Sequence, residues 1–143
     1  LSTVKAINIQ NPSSATVNMV TDASGNATFN GSVTVTKAAA GAISALTYAA
    51  TTTIDLSTAN NFSITLTGNV TFANPTNPTA GQSGSIFITQ DGTGSRTASW
   101  GANWDWPGGT APTLTTTASA TDRVDFIVRT STSIQAVFTA NYS

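Results

Sequence analysis

The sequence predicts an all-β protein, in which a segment of short strands and an Ala-rich linker precede an antiparallel β-sandwich of jelly-roll type. Three observations carry this expectation. Thr, Ser and Asn supply about two in five of the 143 residues, only 8% are charged, and Glu is absent. Thr is β-branched and suits a pleated strand, whereas Ser and Asn favour turns, so this polarity belongs to strands and loops rather than to solvated helices. The second observation is period-two patterning, which gives a strand one apolar and one polar face. The third is the regular recurrence of turn signals between the patterned runs. Disordered chains combine high net charge with few aromatic and β-branched residues; this one has a formal net charge of -1 and carries Trp, Phe, Val and Ile throughout.

In chain order, the first zone spans residues 1–36. Strands are expected over Val4–Ile9, Thr16–Val20 and Ala27–Val35, separated by a turn at Asn11-Pro12-Ser13-Ser14 and another over Asp22–Asn26. Ile7, Ile9, Val17, Met19, Phe29, Val33 and Val35 carry nearly all the apolar area of this zone. At about 1.5–3 kcal/mol per fully buried side chain, so small a set struggles to offset the ordering entropy of the zone. It needs a partner surface, and three identical chains sharing one axis supply it with the fewest new parts. Residues 37–50 form the linker, where Gly41 interrupts Ala38, Ala39, Ala40 and Ala42 and where the spacing of Ile43 and Leu46 suits a short helical turn. The head spans residues 51–143. Phe62, Ile64 and Leu66 alternate with hydroxyl residues, Val124, Phe126 and Val128 alternate with Arg123, Asp125 and Arg129, and Ile134, Ala136 and Phe138 continue the pattern. Turn signals at Ala59–Asn61, Thr67–Asn69, Pro75–Gly84, Asp91–Gly94, Pro107–Gly109 and Thr130–Ser133 divide it into eight or so antiparallel strands.

The residue types that are missing restrict function. With no His and no Cys, the usual zinc sites, a Cys nucleophile and a Ser-His-Asp triad are all out of reach, and no cofactor is expected. Six Asp are the only side-chain carboxylates; an Asp pair is what a glycosidic spike enzyme would use, but Asp122 and Asp125, three apart on a strand, point to opposite faces, which argues against their sharing one substrate. The reading is therefore non-enzymatic. Five scattered basic residues give no footprint for a phosphate backbone, and no apolar run approaches the roughly 20 residues needed to span a bilayer, so neither nucleic acid nor membrane insertion is expected. The first residue is Leu1 rather than Met, which is expected of a piece or processed product of something longer.

Trp100, Trp104 and Trp106 fall within seven positions, beside Asn103 and Asp105. Rings that stack on a sugar face, with amide and carboxylate groups that pair with hydroxyls, make Trp100, Asn103, Trp104, Asp105 and Trp106 candidate receptor or glycan contacts. The same indoles equally suit a role as buried anchors beneath a Gly-rich loop. Gln90–Arg96 has too few carboxylates for a calcium loop and no Lys for a phosphate loop, so it is expected to be a hairpin turn in which Asp91-Gly92 supplies positive φ and Asp91 pairs with Arg96. Arg123 and Asp125 share a strand face and suit an ion pair.

Two stretches bear a family resemblance. The run TFANPTNPTAGQSGSIFITQDGTGSRTASWGANWDWPGGTAPTLTTTASATDRVDFIV, Thr71–Val128, resembles the C-terminal domains of tail-fibre and virion-appendage proteins of tailed bacteriophages, and covers about two-fifths of the chain. DASGNATFNGSVTV, Asp22–Val35, is similar to the short repeats of phage fibre shafts, in which a Gly-Asn turn precedes a strand. The resemblance implies a shaft-like segment followed by a head, a homotrimer on the virion surface, other virion proteins as neighbours, and attachment to a host glycan or protein receptor. It carries no catalytic residue. A carbohydrate-binding module of a secreted polysaccharide-active enzyme and a capsid decoration protein are the alternatives.

Overall fold

Period-two apolar patterning decides which way each strand faces, and the inward residues then decide what the strands can stack on. The computed structural model describes residues 8–10 and 17–142. The chain divides into two units, Leu1–Ala39 and Ala40–Ser143.

The first unit is a three-stranded antiparallel meander of β1 (Asn8–Gln10), β2 (Val17–Thr21) and β3 (Ala27–Phe29). Met19 pairs with Ile9 on one side and Phe29 on the other. The β2–β3 turn is organised by Asp22, whose Oδ1 accepts from the backbone N–H of Ser24 and of Asn26 at 2.9 Å each, while the Asn26 amide donates to Oδ2 at 2.8 Å. Gly25 sits at φ 85°, a conformation in which any Cβ is strained. The expected Asp22–Asn26 turn and the strand after it are thus present, although β3 stops at Phe29 and does not reach Val35. The expected strand residues Val4–Ile7 and Thr16, and the turn at 11–14, lie outside the described residues. None of the fully buried hydrophobic side chains described belongs to this unit, and Phe29, Val33 and Val35 are more than half exposed.

The second unit winds. β4 (Ile43–Ala45) and β5 (Thr51–Thr52) form a first coil, β6 (Asn61–Leu66) and β7 (Val70–Phe72) a second, β8 (Ser83–Gln90) and β9 (Ala98–Trp100) a third. The first strand of each coil enters one sheet and the second strand enters another. Successive coils stack in parallel, with Ile43 beside Asn61 and Asn61 beside Ser85 in the larger sheet, and Thr51 beside Thr71 and Thr71 beside Ser99 in the smaller. A further parallel bridge joins Asp55 to Thr76. The long strands β11 (Thr121–Thr130) and β12 (Ser133–Tyr142) then add an antiparallel hairpin to β8, and the short β10 (Trp104–Asp105) pairs in parallel with β12. The larger sheet therefore runs β10-β12-β11-β8-β6-β4, and the smaller runs β5-β7-β9.

This corrects the expected antiparallel, jelly-roll-like sandwich: the chain is all-β, but β6 is parallel to both of its neighbours and the smaller sheet is wholly parallel. The reason is physical. Alternation reports which side of a strand is buried and is blind to strand direction. The turns at Thr67–Asn69 and 91–97 look like hairpin turns in sequence, yet each carries the chain from one sheet to the other. Ile43–Ala45 is likewise a strand rather than the short helical turn that the Ile43–Leu46 spacing suggests.

Stacking produces continuous inward rows. Phe62 is level with Ile86, Ile86 with Val124, and Val124 with Phe138, so one row crosses four strands; Ile64 lies level with Ile88 on the next. Ile54, Leu56, Leu66, Val70, Phe72, Val128 and Ile134 belong to the same buried core. The rows end on two buried polar residues. Gln90, 2% exposed, donates from its amide nitrogen to the Arg96 carbonyl at 2.9 Å and accepts from the Arg96 N–H at 2.8 Å. Asp122, 1% exposed, accepts from the backbone N–H of Thr115 at 2.8 Å and of Asn141 at 2.9 Å. Two side chains thus satisfy four backbone groups where the loops close over the core.

Gly84 marks where adjacent coils come closest, since a Cβ placed on it would lie 1.6 Å from the Asn60 carbonyl oxygen. Gly84→Ala is expected to lower stability by about 3 kcal/mol, at the upper end of what overpacking costs. Asp122→Ala, which strands two backbone donors, is expected to cost about 1–3 kcal/mol per buried group left unpaired. Urea unfolding of both variants checks the two values, and a midpoint equal to that of the parent for Gly84→Ala would contradict the close approach.

Candidate functional site

The Trp cluster is built where the third coil passes into β10. Trp100 ends β9 level with Phe72, and the two rings stack at a centroid distance of 4.5 Å. Trp104 and Trp106 meet Trp100 edge-on at 5.2 and 4.8 Å, and Trp104 meets Phe126 at 6.3 Å. Such tilted pairs each contribute about 0.5–1.5 kcal/mol beyond their buried area. The backbone between them is pinned: Gly101 donates to the Phe72 carbonyl at 2.8 Å, Asn103 donates to Asn74 Oδ1 at 2.9 Å, and the Asn103 carbonyl accepts from Ile134 at 2.8 Å. The Trp104 indole donates to the Ala73 carbonyl at 3.1 Å. The indole nitrogens of Trp100 and Trp106 are buried and have no hydrogen-bond partner among the described residues.

The five sequence candidates therefore separate. Trp104 is buried and Trp100 half-buried, and both pack as anchors. Asn103 is held by its backbone. Asp105 and Trp106 alone of the five line an open groove of about 480 Å³, together with Asp125, Ile127, Gln135 and Val137. Those last four were not candidates from sequence. Their signal was present in the alternation, because Ile127 and Val137 are apolar residues at outward positions of neighbouring strands, 48% and 58% exposed.

Register fixes the floor of this groove. Asp105 lies level with Gln135 and Gln135 with Ile127, while Val137 lies level with Asp125 on the same face. Trp106 and the 3₁₀ turn Pro107–Gly109 border it. Asp125 accepts from Ser85 Oγ at 2.6 Å and from Arg123 Nε at 2.9 Å, and the Arg123 guanidinium also lies 5.1 Å from the Tyr142 ring centre. The shared face of Arg123 and Asp125 that alternation requires is thus realised. Asp122 points into the core and Asp125 into the groove, so the two carboxylates are kept apart.

At the other turn singled out, Asp91 and Arg96 form the expected ion pair at 2.8 Å. The loop is not a hairpin, and positive φ falls on Gly94 and Ser95 rather than on Gly92. Asp91 Oδ1 takes the N–H groups of Thr93 and Gly94, which explains the tight bend. The Arg96 guanidinium holds the Asp91 carboxyl below its ordinary value of 3.8, and Asn77 and Ser57 do the same for Asp55. No group of three or more side chains suited to a metal ion occurs among the described residues, and none of their helices is long and apolar enough to cross a membrane.

A family model described as "Putative phage tail fibre C-terminal domain" matches residues 51–133, more than half of the chain. The chain belongs to this tail fibre family. No curated protein and no solved structure matches it. Membership makes the chain a structural fibre component associated with the phage virion, and points to a role other than catalysis. The matched span begins at β5 and ends on the first residue of β12. It holds the Trp cluster and one side of the groove, whereas Gln135 and Val137 lie beyond it.

Two outcomes follow for this tail fibre domain. Trp104→Ala is expected to cost about 3–5 kcal/mol in unfolding free energy and Trp106→Ala distinctly less, because only the former empties the core. Depressed carboxyl groups contribute stability above their unfolded pKa and lose it as pH falls through the folded value. With no His to titrate, the melting temperature is expected to stay level from neutral pH down to about pH 5 and to fall below about pH 4 as Asp55 and Asp91 take protons. A drop centred near pH 6 in a thermal melt series would contradict this.

Proposed function

We propose that this chain forms part of a homotrimeric fibre on the virion surface, which attaches the phage to its host cell. Family membership over residues 51–133 carries the fibre assignment. The homotrimer is supported by the first unit: a single chain leaves Phe29, Val33 and Val35 exposed by 51–59%. Val33 and Val35 alternate with Thr34 and Thr36 in a strand-like pattern that pairs with no strand among the described residues. Three copies around one axis give those side chains an apolar neighbour and the backbone a partner, with no other protein required. A low-charge surface of hydroxyls and amides suits a particle component whose task is adhesion rather than chemistry.

Light scattering on the purified full chain is expected to give three times the 14.5 kDa chain mass, and a lower mass for a chain beginning at Ala40. A monomer for the full chain at micromolar concentration would overturn the trimer and favour a lone carbohydrate-binding module.

A further inference from the structure

We infer that the groove on the outer face of the larger sheet is a binding site for a neutral saccharide. The site rests on the attachment reading for its biological use and on its own geometry for its ligand. Its volume of about 480 Å³ falls in the range of roughly 300–1,000 Å³ that small-ligand sites occupy. The lining combines an aromatic border with a few polar groups on an apolar floor, which is what an amphipathic sugar ring requires. Trp106 supplies ring surface at the border, and Ile127 and Val137 supply aliphatic surface to the carbon-bound hydrogens of a pyranose.

Two polar groups are free to choose among hydroxyls. Gln135 is exposed and its amide has no hydrogen-bond partner among the described residues, so it offers two donors and an acceptor. Asp105 uses Oδ2 to accept from Ser133 Oγ and leaves Oδ1 open. The two lie side by side, because Asp105 and Gln135 are register partners on β10 and β12. A carboxylate beside an amide can hold adjacent hydroxyls of one ring.

Charge narrows the ligand further. Asp125 is balanced by Arg123 at 2.9 Å and held by Ser85, so it adds no net field to the groove. Among the described residues Asp105 makes no ion pair, and it is the one acidic side chain of the lining left without one. Uronic and sialic acids would bring like charge against it, whereas neutral hexoses and N-acetylhexosamines would not. The groove thus selects on charge as well as on ring shape.

The test uses the full chain with neutral oligosaccharides of glucose, galactose and N-acetylglucosamine, and oligogalacturonate as the anionic probe, read by calorimetry and Trp fluorescence. Saturable binding of at least one neutral oligosaccharide is expected, with oligogalacturonate failing to bind. Trp106→Ala and Gln135→Ala are each expected to weaken binding about tenfold or more. Thr65→Ala, on the same sheet face but outside the groove, is expected to leave it unchanged, and Asp105→Asn to reduce discrimination against oligogalacturonate. Binding that survives both Trp106→Ala and Gln135→Ala in folded protein would overturn the site, as would no binding of any neutral oligosaccharide. Loss of self-association in Trp106→Ala would assign the groove to a second copy of the chain and overturn it equally. A trimer that binds no sugar refutes the groove and leaves the fibre standing; a monomer that binds refutes the fibre and leaves the groove.

Discussion

Everything in the second unit depends on the inward row that runs from Phe62 through Ile86 and Val124 to Phe138. Each of these side chains sits level with its neighbour on the next strand, so burying one requires the others to be in register. A slip of one residue in any strand would turn hydroxyl groups inward and apolar groups out. The row also crosses from parallel to antiparallel pairing at β8 without a break, because inward spacing along a strand is the same in both directions. That continuity lets a coiled segment end on a hairpin within one sheet.

From this constraint the site follows. The hairpin β11–β12 must present its even-numbered residues to the core, which leaves Asp125, Ile127, Gln135 and Val137 facing out. β10 docks on β12 through Trp104, whose burial among Trp100 and Phe126 fixes where Asp105 and Trp106 emerge. The Trp cluster thus works in two layers: two indoles hold the corner, and the third borders the groove. Rigid strands carry most of the lining and a short turn carries the rest, so the groove is largely formed before any ligand arrives.

Some of this was legible in the sequence. Alternation at Phe62, Ile64 and Leu66, and again at Val124, Phe126 and Val128, gave the buried faces, and the pairing of Arg123 with Asp125 followed from it. The Asp91–Arg96 pair and the Asp22–Asn26 turn were readable from local chemistry. Strand direction was not, because Thr67-Gly68-Asn69 has the composition of a hairpin turn whether the next strand doubles back or enters a second sheet. Nor was the split among the three indoles legible, since burial of Trp104 depends on Phe126, more than twenty residues away. Val137 does stand out in the alternation as an apolar residue at an outward position, whereas Gln135 does not, because an exposed polar residue on a strand is ordinary until its neighbours across the sheet are known.

Interstrand NOEs between β6 and β8 test the winding of parallel coils most directly. Backbone contacts should join Asn61 to Ser85, Ser63 to Phe87 and Thr65 to Thr89, with both strands ascending together. Contacts that instead joined Asn61 to Thr89 and Thr65 to Ser85 would show an antiparallel pair and contradict the coil.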